Sequence, residues 1–211
     1  MTTPRSTMKL PLFLLTVVFT AAGTQLHAQS GPAVKVKTSS PKVSSIQTPM
    51  FQAANTPNRN WRPKEWLEFD TEIAITLPAS EGGRRGSLGS MTINYYVAMN
   101  APTKEGKFPM LKGTINYLDI PAGEKCHALA YVTPATLQRV LGKSGFTTSD
   151  VKAAAIEVVV EGTVVAGETT VPGRWWEKTE SFEITENAVL SRKETPFDIL
   201  WGDYDLPTKS K

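Results

Sequence analysis

The chain has 211 residues, 40% of them hydrophobic, with 23 Lys and Arg against 20 Asp and Glu. A charge this small, spread along the chain rather than gathered in blocks, excludes a nucleic-acid binder that works by charge. A single cysteine, Cys126, excludes an intrachain disulfide, so the fold must rest on its core, and five Trp and eight Phe supply the material for one.

The first element is the apolar and small-residue run Leu10 to Ala22, preceded by Arg5 and Lys9 and followed by Leu26-His27-Ala28 before Gln29. A membrane span needs about 20 apolar residues, whereas the apolar part of a signal peptide needs about 7 to 15. The run therefore predicts a cleaved signal peptide over residues 1–28, with Met8 as an alternative start. The expected mature chain is exported, periplasmic or at the cell surface, with no transmembrane segment after cleavage. Losing Arg5 and Lys9 leaves 21 basic side chains against 20 acidic. No cysteine stands directly after the cleavage region to carry a lipid anchor. The apolar run also precedes the cut, unlike that of a type IV prepilin.

Residues 29–60 are rich in Ser, Thr, Pro and Asn and carry Pro41, Pro49 and Pro57. They read as an extended or flexible arm, in which Val34 to Lys37 or Val43 to Thr48 could hide an edge strand. From Trp66, Leu67, Phe69, Thr71, Ile73, Ile75 and Leu77 alternate with Glu68, Asp70, Glu72, Ala74 and Thr76 and predict a half-buried strand whose first set faces the core. Glu81 to Gly89 reads as a mobile loop. Met91, Ile93, Tyr95, Val97 and Met99 then predict a second strand of the same kind. Further strands are expected at residues 110–118, 126–133, 155–160, 163–168 and 182–184, with Glu161-Gly162 as a hairpin turn. One short helix is expected between Thr133, as N-cap before Pro134, and the stop at Gly142, and another helical turn near Ser149. Many short strands and one helix predict an all-β, immunoglobulin-like antiparallel β-sandwich over residues 61–211.

No catalytic, cofactor-binding or metal constellation stands out. Glu68, Asp70 and Glu72 share a strand face about 7 Å apart. They could hold a cation or serve a carboxylate-dependent hydrolase, yet a glycosidase pair must face across a cleft, and the simpler reading is a solvated face. Cys126 and His127 are neighbours on a predicted strand, so their side chains diverge, and His127 is the only histidine beyond the leader. That leaves too few ligands for a His/Cys zinc site. Two stretches are candidate interaction surfaces. Arg84 and Arg85 in the Gly-rich loop could catch an anion, although a flexible hairpin end explains them as well. Arg174-Trp175-Trp176, if extended, turns one indole outward, where it could stack on a sugar or fill a protein pocket. A carbohydrate-binding module or adhesin would need Trp176, or a tyrosine such as Tyr96, flat on an exposed face.

The C-terminal stretch Val189 to Tyr204, together with Trp61-Arg62-Pro63-Lys64-Glu65-Trp66-Leu67-Glu68 and Arg174-Trp175-Trp176-Glu177, resembles a group of small exported proteins from Verrucomicrobia. The resemblance runs from about Trp61 to Tyr204. It implies an immunoglobulin-like β-sandwich, association with type IV pilus-like gene clusters and the outer surface, and a non-enzymatic assembly role. The expected partners are proteins of an envelope or pilus-like assembly, with homo-oligomers left open, and no cofactor.

Overall fold

The computed structural model describes residues 34–52, 54–57 and 59–209; the leader and its cleavage site lie outside the described residues. Among the described residues, ten strands form two five-stranded sheets. They are β1 (Lys35–Thr38), β2 (Lys42–Gln47), β3 (Glu65–Thr76), β4 (Ser87–Met99), β5 (Phe108–Pro121), β6 (Lys125–Val132), β7 (Val151–Val160), β8 (Thr163–Thr169), β9 (Phe182–Thr185) and β10 (Leu190–Ser191). The first sheet runs β1-β3-β6-β10, with β2 on the same edge of β3 as β1, farther along; the second runs β8-β7-β4-β5-β9. All pairs are antiparallel except β5 with β9, so the sandwich is not purely antiparallel.

The alternation read from β3 and β4 is the alternation that builds the core. Leu67, Phe69, Ile73 and Ile75 face Met91, Ile93, Tyr95 and Val97 and pack with Ile115 and Tyr117 of β5 and Ile156 and Val158 of β7. Small residues on β6, Ala128 and Ala130, let the sheets approach where the tyrosines are bulky. Tyr95 and Tyr117 join their hydroxyls at 2.8 Å, and Tyr117 donates to the Leu129 carbonyl at 3.0 Å, so both buried phenols are paired. Burial pushes both well above the ordinary tyrosine range.

Thr71 breaks the pattern: fully buried, its hydroxyl has no hydrogen-bond partner among the described residues. Replacing it by valine removes that uncompensated group, and we expect Thr71→Val to raise stability by about 1 to 2 kcal/mol. The urea midpoint should rise with an unchanged slope; a fall would mean that the hydroxyl has a partner in solution.

The helix α1 (Pro134–Leu141) follows its sequence signals, with the Thr133 hydroxyl accepting from the Thr136 N–H at 3.1 Å and Gly142 closing it at φ 65°. Glu161 and Gly162 both have positive φ, 51° and 77°, which makes the β7–β8 turn type I′. A turn of 3-10 helix, Thr148–Asp150, stands where a helical turn near Ser149 was expected. Two elements differ from expectation. Part of the segment read as an arm is sheet, contributing β1 and β2 rather than one edge strand. The stretch read as a mobile loop is ordered by two 3-10 turns, Ala79–Glu81 and Gly83–Arg85, and its last residues, Ser87 to Gly89, already belong to β4.

Candidate functional site

Each sheet has an outer face, and on both a later stretch of chain lies over it. On the second sheet the cover is the segment after β8. Trp175 to Glu177 form a 3-10 turn, so the expectation that neighbouring indoles point to opposite faces fails with the extended backbone it required. Trp176 is only 6% exposed; its ring lies 5.8 Å from that of Tyr96, nearly parallel, and meets Trp175 edge-on. Glu157 organises the cluster. It accepts from the Tyr96 hydroxyl (2.7 Å), Arg174 Nη2 (2.7 Å) and Trp176 Nε1 (3.1 Å). Burial would raise this carboxyl, but the three donors outweigh it and hold it below the usual glutamate range. Trp175 is tied through Nε1 to the Thr169 hydroxyl at 2.9 Å. Of the sequence-selected trio only Arg174 is open to solvent, while Trp176 and Tyr96 close on each other and present no flat exposed ring. Arg84 and Arg85 are exposed on their turn, far in sequence from this cluster.

On the first sheet the cover is the C-terminal segment. Glu68, Asp70 and Glu72 of β3 stand directly opposite Tyr131, Leu129 and His127 of β6. Cys126 faces the core, so the adjacent cysteine and histidine diverge as strand neighbours must. His127 Nδ1 meets Asp70 Oδ1 at 2.7 Å, and its ring stacks on Tyr204 at 4.1 Å. The Tyr204 hydroxyl donates to Asp70 Oδ2 at 2.7 Å, and burial together with that carboxylate pushes the phenol up to about 12. Glu72 pairs with Lys125 at 2.9 Å. The row read as a solvated face is therefore a partly covered one. At its end Trp66, Leu129, Tyr131 and Phe197 form a second small core, with Phe197 stacked on Tyr131 at 4.6 Å and Ile46 and Leu200 packed against it.

The segment is pinned by Asp205 and Arg192, both buried. Asp205 accepts from the Leu129 N–H at 2.8 Å and from Arg192 Nε at 2.9 Å, and Arg192 Nη1 also donates to the carbonyls of Asp198 and Leu200. Beyond Asp205 the chain pairs with both sheets: Leu206 donates to the His127 carbonyl, Leu118 donates to the Pro207 carbonyl, and Lys209 donates to the Asn116 carbonyl. The tail thus stitches β6 to β5 across the side of the sandwich.

Between the tail and β3 lies a cavity of about 210 Å³ lined by Glu68, Asp70, Leu129, Trp201 and Tyr204. Trp201 and Tyr204 are 48% and 43% exposed. No group of three or more His, Cys, Asp and Glu side chains among the described residues is placed to hold a metal ion. No helix among them is long and apolar enough to cross a membrane. Sequence reasoning selected Glu68 and Asp70 but not Trp201 or Tyr204; the aromatic richness of the C-terminal stretch was the available signal.

A protein-family model matches residues 27–211. The chain belongs to that family. Three solved chains also match, among them a crystal structure from Akkermansia muciniphila, one of the Verrucomicrobia. It superposes with a TM-score of 0.75 at 24% identity, covering 84% of this chain and 94% of the other. At that identity the likeness carries the fold, an all-β sandwich, and the fold alone. No curated protein matches.

Proposed function

We propose that this protein is a non-enzymatic, exported interaction module working among protein partners of an envelope or pilus-like assembly. The observation that carries the reading is where its large apolar side chains remain open. Of the eight exposed among the described residues, Ile199, Trp201 and Tyr204 lie on the C-terminal segment and Met50, Phe51 and Trp61 on the β2–β3 connection, against only Val164 and Ile184 on the second sheet. Both segments adjoin the small core of Trp66, Tyr131 and Phe197, through Leu200 on one side and Ile46, at the end of β2, on the other. A folded domain with a full core has no packing use for six exposed aromatic and aliphatic groups on two segments that border one small core, and such groups mark contact surfaces. The family match supports the same reading. The test is isolation of native envelope complexes from the source cells. The expected result is that this chain co-purifies with pilus-like or other envelope proteins. Recovery as a free monomer in the soluble periplasm would overturn the proposal.

A further inference from the structure

The carboxylates of β3 are unequally compensated. Asp70 has His127 and Tyr204, and Glu72 has Lys125. Glu68 has no ion pair within 4 Å among the described residues; Lys42 acts on it only through space, and it accepts from the Ser44 hydroxyl at a long 3.2 Å. The Tyr131 phenol lies beside it, close enough for each to perturb the other, yet that hydroxyl falls outside hydrogen-bond geometry. Half-buried, the Glu68 carboxyl is raised above the usual glutamate range by desolvation, which outweighs the neighbouring hydroxyls and the charge of Lys42. It opens into the cavity walled by Trp201 and Tyr204 and floored by Leu129.

We propose that this cavity binds an arginine side chain presented by a protein partner. The inference rests on the interaction-module reading and supplies the partner's chemistry. A carboxylate with no cation in contact leaves room for one, and two half-exposed aromatic rings beside it favour a cation that stacks. A guanidinium is planar, weakly hydrated and forked, so it lies against an indole or phenol ring while donating to a carboxylate. An ammonium uses the charge but not the flat walls. A bare metal ion would use neither the rings nor the apolar floor. Asp70, with both oxygens already engaged, adds negative potential without competing for the donors.

The test is a titration of the folded full chain with N-acetyl-arginine amide, read at the indole N–H resonance of Trp201, which is assigned by its loss in Trp201→Phe. The neutral isostere N-acetyl-citrulline amide, N-acetyl-lysine amide, calcium ion and a disaccharide are run in parallel. The expected result is saturation by the arginine amide in the millimolar range, weaker binding of lysine and none of citrulline. Glu68→Gln should weaken the arginine response roughly tenfold while leaving the melting temperature in place. Equal shifts from citrulline and arginine, a stronger response to calcium or sugar, or no saturable response would each overturn the proposal. Failure here with the chain still found in native complexes would remove the arginine pocket and leave the assembly reading standing; loss of the complexes with the pocket intact would do the reverse.

Discussion

Asp205→Ala is expected to cost about 3 to 5 kcal/mol at neutral pH, because it leaves the buried Arg192 guanidinium charged and without its one close, buried carboxylate. Arg192 is 7% exposed and Asp205 5%; among the described residues the guanidinium otherwise has the Asp198 and Leu200 carbonyls and, at a loose 3.8 Å, the half-exposed Asp198 carboxylate. The same substitution strips the acceptor from the buried Leu129 N–H. Since residues 197–209 reach the sheets through this point, the loss should appear first as protease sensitivity of the C-terminal segment, ahead of global unfolding. Chemical denaturation of wild type and variant measures the full cost, and a loss below about 1 kcal/mol would show that the pair contributes no more than a surface bridge.

The same carboxyl gives the pH dependence a definite sign. Burial raises it from the usual 3.8 to about 6, against the pull of the Leu129 N–H and Arg192. Between those values the folded state holds a proton that the unfolded chain has released, so stability from this group falls as pH rises. The contribution is fully present below about pH 4, declines to about pH 6 and is flat beyond. Wild type should therefore lose stability relative to Asp205→Ala across that window; a difference that grew instead would reverse the assignment.

How much of this was legible beforehand follows from what alternation encodes. Leu67 to Ile75 and Met91 to Met99 declare strands because each inward residue must be apolar whatever its partner, and Thr133-Pro134 and Glu161-Gly162 carry local backbone chemistry. Alternation says nothing about what lies over the outward face. Glu68, Asp70 and Glu72 read as solvated because the residue that engages Asp70, Tyr204, is 134 positions away. Trp175 and Trp176 read as opposed because a strand was assumed where a 3-10 turn brings both into one cluster on the second sheet. The pairing of β9 with β5 was hidden for a related reason: a parallel partner four residues long leaves almost no periodic signal.

Gly113→Ala should be the costliest small change in the sheets, at about 3 kcal/mol. Gly113 sits in the middle of β5 with no left-handed backbone to explain it; the reason is space. A methyl group there would lie 2.6 Å from the Val189 Cβ and 2.9 Å from its carbonyl carbon, both closer than packed carbons can sit. Backbone cannot yield as the tip of a long side chain can, so Val189 must move. Its neighbours move with it: the Ala188 and Val189 N–H groups both donate to the Lys112 carbonyl, and β10 and Arg192 follow directly. Gly89→Ala is the matched control, an extended strand glycine with nothing within 4 Å, expected to be neutral or slightly stabilising. Because Gly113 and Asp205 secure the two ends of one strap, the double variant should lose less than the two single losses together. Additive losses would mean that the β10 segment and the C-terminal tail are held independently, and the strap would then be two separate anchors.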